Sequence, residues 1–509
     1  MNVKRFILGS LGVGVALAVA RSLFARTASA KTTSNRASFD AIDAYVEGEM
    51  RRLKIPGVSM AIVEGDQIVH LRGFGQARPD GEVPTPQTPF FIGSLTKSFT
   101  ALAVMQLVEA GKIDLDAPVQ RYLPWFRVAD PQASAQMTVR HLLNQTSGLP
   151  TSSGEIQLAD FDDRPDATER QARALSELVL TRPVGSAFEY SNSNYNLLGL
   201  IIEAASGESY ADYIQKHIFT PLDMSHSYTS PTTAKQNGLA MGHQYWFALP
   251  FAAPNIPTPY GSLPSGQLIS SAEDMARYMS ALLNGGYYGD VQILSDAGIA
   301  ELHRGVADFS VMGISLGQYG MGWFADSIGQ TKLVWHNGTT PDFAAYMALL
   351  PEQKKGVVLL FNASHHWMSP VLTEVGAGVA ALLAGQQPQP ASVPVVDMIP
   401  RALRGLLLIP VLQLAGVVAT LRLLRHRRGD TERHPRSGGK SGLYLLLPLI
   451  PHLLVALALQ PLLGKRRGYL RLYMPDYSWT ALVCGSFSLV WSLLHTGLAL
   501  RVLKKAASP

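Results

Sequence analysis

The 509-residue sequence contains a single cysteine, Cys484. A lone cysteine excludes an intramolecular disulfide and a cysteine zinc cluster, and its place near the C-terminus excludes a lipidated N-terminal cysteine. We interpret Cys484, which lies in an apolar run, as a small residue buried in lipid. The adjacent pair His365-His366 lacks further ligands at a metal-site spacing, so we expect a surface pair and no metal site.

Charged residues are also scarce, at 16% of the sequence, and they are unevenly placed. Residues 401–509 hold 16 Lys and Arg against 3 Asp and Glu, whereas residues 31–400 hold 23 against 35. The positive charges of the tail flank long apolar runs and do not cover a folded polar face. This pattern argues against a nucleic-acid partner.

Residues 1–30 have the organisation of an export signal. Lys4 and Arg5 precede an apolar run from Phe6 to Ala20, and Ala28-Ser29-Ala30 is a small-residue cleavage pattern. The apolar run is short for a membrane-spanning helix, although an uncleaved N-terminal anchor is the alternative. We therefore predict a signal peptide and an exported protein.

Residues 31–385 alternate helix and strand signals at the density of one compact catalytic domain. A helix and a hairpin are predicted near its start, and a second hairpin and a helix near its end, at residues 39–53, 58–63 with 68–73, 343–350 with 356–361, and 369–384. A sheet built from both ends of the domain, with a helical middle inserted, fits this order. The predicted fold class is α+β.

Residues 386–400 are polar and proline-rich at their start, which predicts a linker. Three apolar runs follow within residues 401–509, at about 405–424, 442–463 and 479–500, and each is near the length that a spanning helix needs. The alternative is three buried helices of a soluble domain. Charges crowd between the runs and are nearly absent inside them, which favours three transmembrane helices and makes the lipid bilayer a partner.

The basic loop 425–440 and the basic C-terminus are expected on the cytoplasmic side by the positive-inside rule. The loop 464–478 is then external although it too carries basic residues, which weighs against this topology without reversing it. With three spans, the catalytic domain lies on the extracytoplasmic side of the cytoplasmic membrane. The export signal requires the same side.

Ser94-Leu95-Thr96-Lys97 opens an apolar run that ends before Gly111, which predicts a buried helix with Ser94 in its first turn. Residues three apart share a helix face, so the Lys97 amine can reach the Ser94 hydroxyl. A serine needs a base, and burial of the lysine favours the neutral amine that can act as one. The spacing alone is a weak signal, because it recurs at Ser437 and Lys440 in a basic loop.

Two further motifs follow in order along the chain. Tyr190-Ser191-Asn192 supplies a hydroxyl that can shuttle a proton and an amide that can hold a substrate. His336-Asn337-Gly338 stands at the end of the strand signal 332–335, where the glycine lets a substrate backbone come close.

These three motifs, in this order, resemble those of the serine β-lactamase and penicillin-binding-protein family, most closely the class C β-lactamases, D-aminopeptidases and esterases of peptidase family S12. The stretches 141–150 and 266–275 resemble the family's supporting segments. The resemblance implies a two-lobed fold, an antiparallel sheet flanked by helices beside a helical lobe, with neither a metal nor an organic cofactor. The membrane-anchored layout is similar to that of the colibactin-maturing peptidases.

The resemblance also implies residue roles. Ser94 would be the acylated nucleophile, Lys97 its base and Tyr190 the proton shuttle. Asn192 would hold the acyl side chain of the substrate, and Gly338 would admit its backbone. The amides of Ser94 and Thr339 would form the oxyanion hole.

His336 departs from the class C β-lactamases, which are similar here but have lysine to pair with the carboxylate of the drug. A largely neutral imidazole disfavours that pairing. Asp342, close by, could attract an amine, although a solvated turn residue is the simpler interpretation.

The leading hypothesis is a hydrolase of amides or esters in small D-amino-acid-containing molecules or peptides. A β-lactamase or D-alanyl-D-alanine carboxypeptidase, an ester-specific hydrolase and a non-turnover penicillin-binding sensor remain alternatives.

Overall fold

A computed structural model describes residues 39–311, 314–388, 394–433, 449–457, 462 and 464–507. The predicted signal peptide, residues 1–30, lies outside these residues. The chain divides into two compact units, Met1–Tyr245 with Leu249–Met398, and Trp246–Ala248 with Ile399–Pro509. We call them the catalytic unit and the C-terminal unit and describe each by itself.

Fifteen strands lie among the described residues. In chain order they are β1 Gly57–Glu64, β2 Gln67–Gly75, β3 Phe90–Phe91, β4 His243–Trp246, β5 Leu249–Ala252, β6 Ile269–Ser270, β7 Tyr287–Tyr288, β8 Val291–Gln292, β9 Ala307–Val311, β10 Ile314–Gly320, β11 Trp323–Ile328, β12 Thr331–Thr339, β13 Ala344–Leu350, β14 Lys355–Phe361 and β15 Ala363–Ser364.

The helices of the catalytic unit are mostly short and lie in the middle of the chain. In order they are α1 Phe39–Leu53, α2 Thr96–Glu109, α3 Val119–Tyr122, α4 Pro131–Gln136, α5 Val139–Leu143, α6 Thr151–Gln157, α7 Ala167–Arg173, α8 Asn192–Ser206, α9 Tyr210–Ile214, α10 Pro231–Gln236, α11 Leu263–Gly266, α12 Ala272–Leu283, α13 Asp296–Leu302 and α14 Ser369–Leu383.

The main sheet has eight strands in the order β2-β1-β14-β13-β12-β11-β10-β9, all antiparallel to their neighbours. Strand β1 pairs with β14, with Ala61 opposite Val358, so the first and last strands of the unit are neighbours. This confirms the α+β prediction of a sheet built from both ends of the domain.

Helices cover both faces of the sheet centre, where α12 packs against β1 and β14 and α14 packs against β13. Every residue of β13 is buried, as expected for a strand covered on both faces. Helix α2 is buried around nearly its whole circumference and packs against α8 and α11 of the helical lobe. It therefore joins the two lobes at the point where the candidate nucleophile lies.

The C-terminal unit contains α15 Pro394–Gly405 from Ile399 onward and the helices α16 Leu408–Arg433, α17 Ile450–Leu457, α18 Arg467–Tyr473 and α19 Pro475–Ala507. Because α15 begins at Pro394, the second half of the predicted linker 386–400 is helical. Within the unit, the Gln413 side-chain amide donates to the Cys484 carbonyl at 2.7 Å and to Ser488 Oγ at 2.6 Å. Such hydrogen bonds hold helices together in an apolar environment.

Two helical stretches among the described residues are long and apolar enough to cross a membrane, Met398–Arg422 and Pro475–Leu498, with mean hydropathies of 1.9 and 1.5. They coincide with the first and third predicted spans. Most of the second, 442–463, lies outside the described residues, and α17 is the longest described part of it. Three transmembrane helices are therefore not confirmed.

Candidate active site

Ser94 lies in a single 3-10 turn, Gly93–Leu95, that leads directly into α2. Gly93 has φ +54°, a left-handed conformation that favours glycine. The helix ends at Glu109 with Gly111 at φ +70°, as the sequence predicts. Ser94 is half-buried, whereas Lys97 is completely buried one turn further on.

The Lys97 amine makes three close polar contacts. Its Nζ lies 3.0 Å from Ser94 Oγ, 2.6 Å from Asn192 Oδ1 and 2.5 Å from the carbonyl oxygen of Ser265. The Tyr190 ring lies beside it, with the ring centroid 4.9 Å from Nζ. Burial lowers the pKa of Lys97 well below its ordinary value, because desolvation disfavours the ammonium form.

Tyr190 approaches the same serine from the helical lobe, and its hydroxyl donates to Ser94 Oγ at 2.9 Å. Burial raises its pKa above the ordinary value, so the phenol is protonated at neutral pH. Ser94 Oγ thus contacts both the lysine amine and a tyrosine hydroxyl.

Gln145 positions Tyr190, a role that sequence reasoning missed. Its carbonyl accepts from the Glu189 amide at 2.8 Å and its Oε1 accepts from the Ser191 amide at 2.9 Å, so it holds both neighbours of the tyrosine. Gln145 has φ +57°, an uncommon conformation for a non-glycine residue. The resemblance of the stretch 141–150 pointed to this segment, but no spacing rule singled out the glutamine.

Asn192 is the first residue of α8, and its side chain accepts a hydrogen bond from Lys97, as given above. Helix α6 packs tightly on it, since a Cβ at Gly154 would lie 2.6 Å from the Asn192 backbone nitrogen. The sequence resemblance places Asn192 against the substrate. The structure adds a contact with the lysine that this resemblance did not predict.

The third motif lies inside β12, which continues to Thr339 and is longer than the predicted strand. Its backbone runs against the turn that carries Ser94: a Cβ at Gly93 would lie 2.3 Å from the Thr339 nitrogen. A Cβ at Gly338 would lie 1.9 Å from the Ile92 oxygen and 3.2 Å from the Ser94 nitrogen. Glycine at both positions lets the Ser94 and Thr339 amides come close together.

His336 is 1% exposed and lies among aromatic rings, with centroids 5.1 Å from Phe324, 6.0 Å from Tyr319 and 6.3 Å from Tyr190. Its Nδ1 lies 2.6 Å from the Asn337 carbonyl oxygen, while Nε2 is buried without a hydrogen-bond partner. Because a carbonyl accepts only, Nδ1 carries the proton and Nε2 is left as an acceptor. Burial, assisted by the nearby Lys97, lowers the pKa of His336 to about 3.

Two sequence expectations near the site are wrong. Asp342 was expected to be a solvated turn residue, but it is 8% exposed, and burial raises its pKa to about 7. The turn folds back through a hydrogen bond from the Thr340 amide to the Phe343 carbonyl, which carries the carboxyl inward. His365 was expected at the surface with His366, but it is completely buried.

A family model described as Beta-lactamase matches residues 42–380. Protein flp of Staphylococcus aureus strain MW2 is 31% identical over 341 residues, which cover 65% of this chain and 64% of that protein. This chain thus spans less than two thirds of that relative. Penicillin-binding protein 4 of Amycolatopsis lactamdurans is 29% identical over 314 residues, covering 60% and 81% of the two chains.

The solved structure of the octameric penicillin-binding protein homologue from Pyrococcus abyssi has a TM-score of 0.60 and 30% identity to this chain. The match covers 71% of this chain and 80% of that one. The family match covers most of the catalytic unit, and the fold is shared with a solved relative. Both findings agree with the family that the order of the three motifs indicates. The chain belongs to the beta-lactamase family, which includes the penicillin-binding proteins and whose members are typically serine hydrolases.

Proposed function

We propose that this protein is an exported, membrane-anchored serine hydrolase that cleaves amide or ester bonds in small D-amino-acid-containing compounds through an acyl-enzyme. The observation that carries the proposal is the convergence on Ser94 Oγ of Lys97 Nζ at 3.0 Å and Tyr190 Oη at 2.9 Å. A nucleophile within hydrogen-bond reach of a base is the signature of covalent catalysis.

The contacts of Lys97 support the neutral form as the reactive one. A neutral amine has two hydrogens and one lone pair. The Asn192 and Ser265 oxygens, which are acceptors, take the two hydrogens, so the lone pair faces Ser94. The serine hydroxyl then donates to the amine, which is the direction a general base requires.

The proposed reaction has two halves. Lys97 takes the Ser94 proton as Oγ attacks the substrate carbonyl, and the amides of Ser94 and Thr339 stabilise the resulting oxyanion. Tyr190 relays the proton to the leaving amine or alcohol as the carbon–heteroatom bond breaks. Water then attacks the acyl-enzyme, gives up its proton along the same path and regenerates Ser94.

The neutral His336 supports a substrate other than a classical β-lactam. With a pKa of about 3 it supplies no positive charge at neutral pH to pair with a carboxylate, and its Nε2 is an acceptor. Its buried, unpartnered Nε2 would instead accept a hydrogen bond from an amide, hydroxyl or amine of the substrate, which requires the surrounding aromatic rings to move aside as the substrate binds. Asn192 and Gly338 would line the same cleft, the former by donating to the acyl group.

The domain arrangement proposed is a signal peptide at 1–30, the hydrolase at 31–385, a linker at 386–400 and a membrane region at 401–509 that anchors the enzyme. Two apolar helices of spanning length support an anchor. The charge asymmetry of the sequence supports an extracytoplasmic catalytic unit.

The test is turnover by the full-length protein in detergent with a panel of acyl-D-amino-acid amides, the matching esters, their L-enantiomers and a chromogenic cephalosporin. We expect many turnovers per molecule on D-configured amides or esters, and slow or single turnover of the cephalosporin. Ser94→Ala is expected to remove both turnover and labelling by a fluorophosphonate. Ser98→Ala, on the same helix, is the matched control and keeps both.

Multiple turnover of the cephalosporin alone would favour a β-lactamase. Stoichiometric acylation without release by every substrate of the panel, the amides and esters included, would favour a sensor. Labelling that persists in Ser94→Ala would contradict the assignment of the nucleophile.

A further inference from the structure

A pocket of about 210 Å³ in the catalytic unit is lined by residues other than the catalytic set. Its lining combines apolar walls with three charged side chains: Phe91, Met241, Phe343, Arg78, Lys235 and Asp342. Neither Ser94, Lys97, Tyr190 nor Asn192 contributes to it. The pocket is therefore separate from the site described above, although Phe91 lies close in sequence to Ser94.

The Asp342 carboxyl is the buried polar group of this pocket. Its Oδ1 accepts from Thr340 Oγ1 at 3.1 Å, and its Oδ2 lies so close to Gly242 that a Cβ there would come within 2.1 Å. Burial raises the pKa of Asp342, and among the residues that the structure describes Lys235 is the cation that opposes this increase, by a smaller amount. A cationic partner stabilises the ionised form of a buried carboxyl.

Positive charge lies on the other part of the lining. The Arg78 guanidinium donates to the Glu82 carboxylate and to the Gly238 carbonyl, which fixes it in place. Lys235, on α10, is exposed and forms no ion pair within the described residues. One part of the pocket lining therefore carries the buried Asp342 carboxyl, and another part carries the exposed Lys235 amine. The rings of Phe91 and Phe343, which contact each other, belong to the apolar walls.

We propose that this pocket binds a free α-amino acid as its zwitterion. The ammonium group would donate to the Asp342 carboxylate, the carboxylate would pair with Lys235 beside Arg78, and an apolar side chain would lie against Phe91 and Phe343. A simple amine would leave Lys235 without a counter-charge, and a simple carboxylate would leave Asp342 without a cationic partner. The two charges of the zwitterion match both features at once.

The test is calorimetric titration of the full-length protein in detergent, carrying Ser94→Ala so that no turnover accompanies binding. D-leucine and L-leucine are the zwitterionic probes. Leucinamide keeps only the ammonium group, and N-acetyl-leucine keeps only the carboxylate. We expect saturable binding of at least one leucine enantiomer and at least about tenfold weaker binding of both analogues, because each loses one charge-assisted contact.

Asp342→Asn and Lys235→Gln are each expected to weaken leucine binding at least about tenfold, since each removes one ionic partner. Lys112→Gln, which changes another exposed lysine, is the control and keeps the affinity. If Asp342→Asn fails to fold, Lys235→Gln carries the test, because that side chain is exposed.

Absence of leucine binding would overturn the proposal. So would equal binding of either analogue, which would indicate an amine or anion site, or full affinity in the Asp342 and Lys235 variants. None of these results depends on whether Ser94 is a nucleophile, so failure here is distinguishable from failure of the proposed hydrolase function.

Discussion

The start of α2, next to Ser94, and the end of β12, which packs against the same turn, differ in how closely they follow the family pattern. At the start of α2, Ser94 and Lys97 have the residue types and the spacing that the resemblance implies. At the end of β12, His336 stands where related β-lactamases have lysine, and Asp342 is a buried carboxyl in the following turn. The first region carries the proposed nucleophile and base, and the second carries the residues that depart from the family pattern.

Burial governs the protonation state of one side chain in each region, Lys97 in the first and His336 in the second. Desolvation lowers the pKa of Lys97, which favours the neutral amine that the proposed base requires, and it lowers the pKa of His336 to about 3, which leaves that imidazole uncharged at neutral pH. The same physical effect therefore supports the proposed catalytic role in one region and the proposed difference in substrate recognition in the other.

Lys97→Met is expected to have the largest effect. Removing the general base lowers the rate of Ser94 acylation by about 10³-fold. The rate is measured by quenching the fluorophosphonate labelling at set times and detecting the adduct by intact-protein mass spectrometry. Lys112→Met, which changes an exposed lysine, is the control. A loss smaller than about tenfold would show that another group takes the serine proton.

The same variant tests the cost of burying the amine. The unfolded state holds the lysine proton up to about pH 10.5, whereas the folded state releases it at lower pH, so wild-type stability rises with pH across this window. Lys97→Met lacks this dependence. We expect its unfolding temperature, followed by tryptophan fluorescence, to exceed that of wild type at pH 7 by more than at pH 10. A gap that widens with pH would contradict the neutral lysine.

Gly93→Ala tests the contact between the two regions. The added Cβ would lie 2.3 Å from the Thr339 nitrogen, so strand and turn must separate and the oxyanion amides lose their geometry. We expect about a 10²-fold loss of acylation. Gly111→Ala is the matched control, because it also has a positive φ but nothing lies within 4 Å of its Cβ. Equal losses in the two variants would attribute the effect to backbone strain alone.

His336→Ala is expected to have the smallest effect, about a tenfold loss of kcat/KM from one lost hydrogen-bond acceptor. The loss should be the same, within about twofold, for an ester with a free carboxylate and for its amidated partner. His336→Lys places a second amine near buried Lys97 and is expected to lower both values further. If His336→Lys instead raises kcat/KM for the carboxylate ester relative to its amidated partner, then the residue at this position recognises carboxylates.

Much of the fold could be predicted, because its elements have strong local signals. The helix 39–53 and both terminal hairpins lie within one or two residues of their predicted bounds. Strand β12 was predicted too short because His336, Asn337 and Gly338 have weak strand preference, yet pairing with β13 extends the strand to Thr339. Local preference cannot report the tertiary pairing that overrides it.

The contacts of Ser94 with Lys97 and Tyr190 followed from helix spacing and from the resemblance. The contacts of Gln145 and of the Ser265 carbonyl did not. Ser265 acts through its backbone, and the Gln145 side chain is directed by a left-handed backbone conformation, and no residue pattern encodes either feature. The burial of Asp342 was also missed, since Thr340-Pro341-Asp342 has the composition of an exposed turn. Burial depends on which residues pack over a segment, and in this protein Gly242 packs against the Asp342 carboxyl.

We infer that burial makes Lys97 a neutral base for Ser94. The most direct test of this inference is the rate of Ser94 acylation by an uncharged fluorophosphonate from pH 5 to 11, in the full-length protein. We expect a rate that rises with pH through a single midpoint well below 10.5 and then stays level, and a Lys97→Met profile without that midpoint. A midpoint near 10.5, or the same midpoint in both proteins, would contradict it.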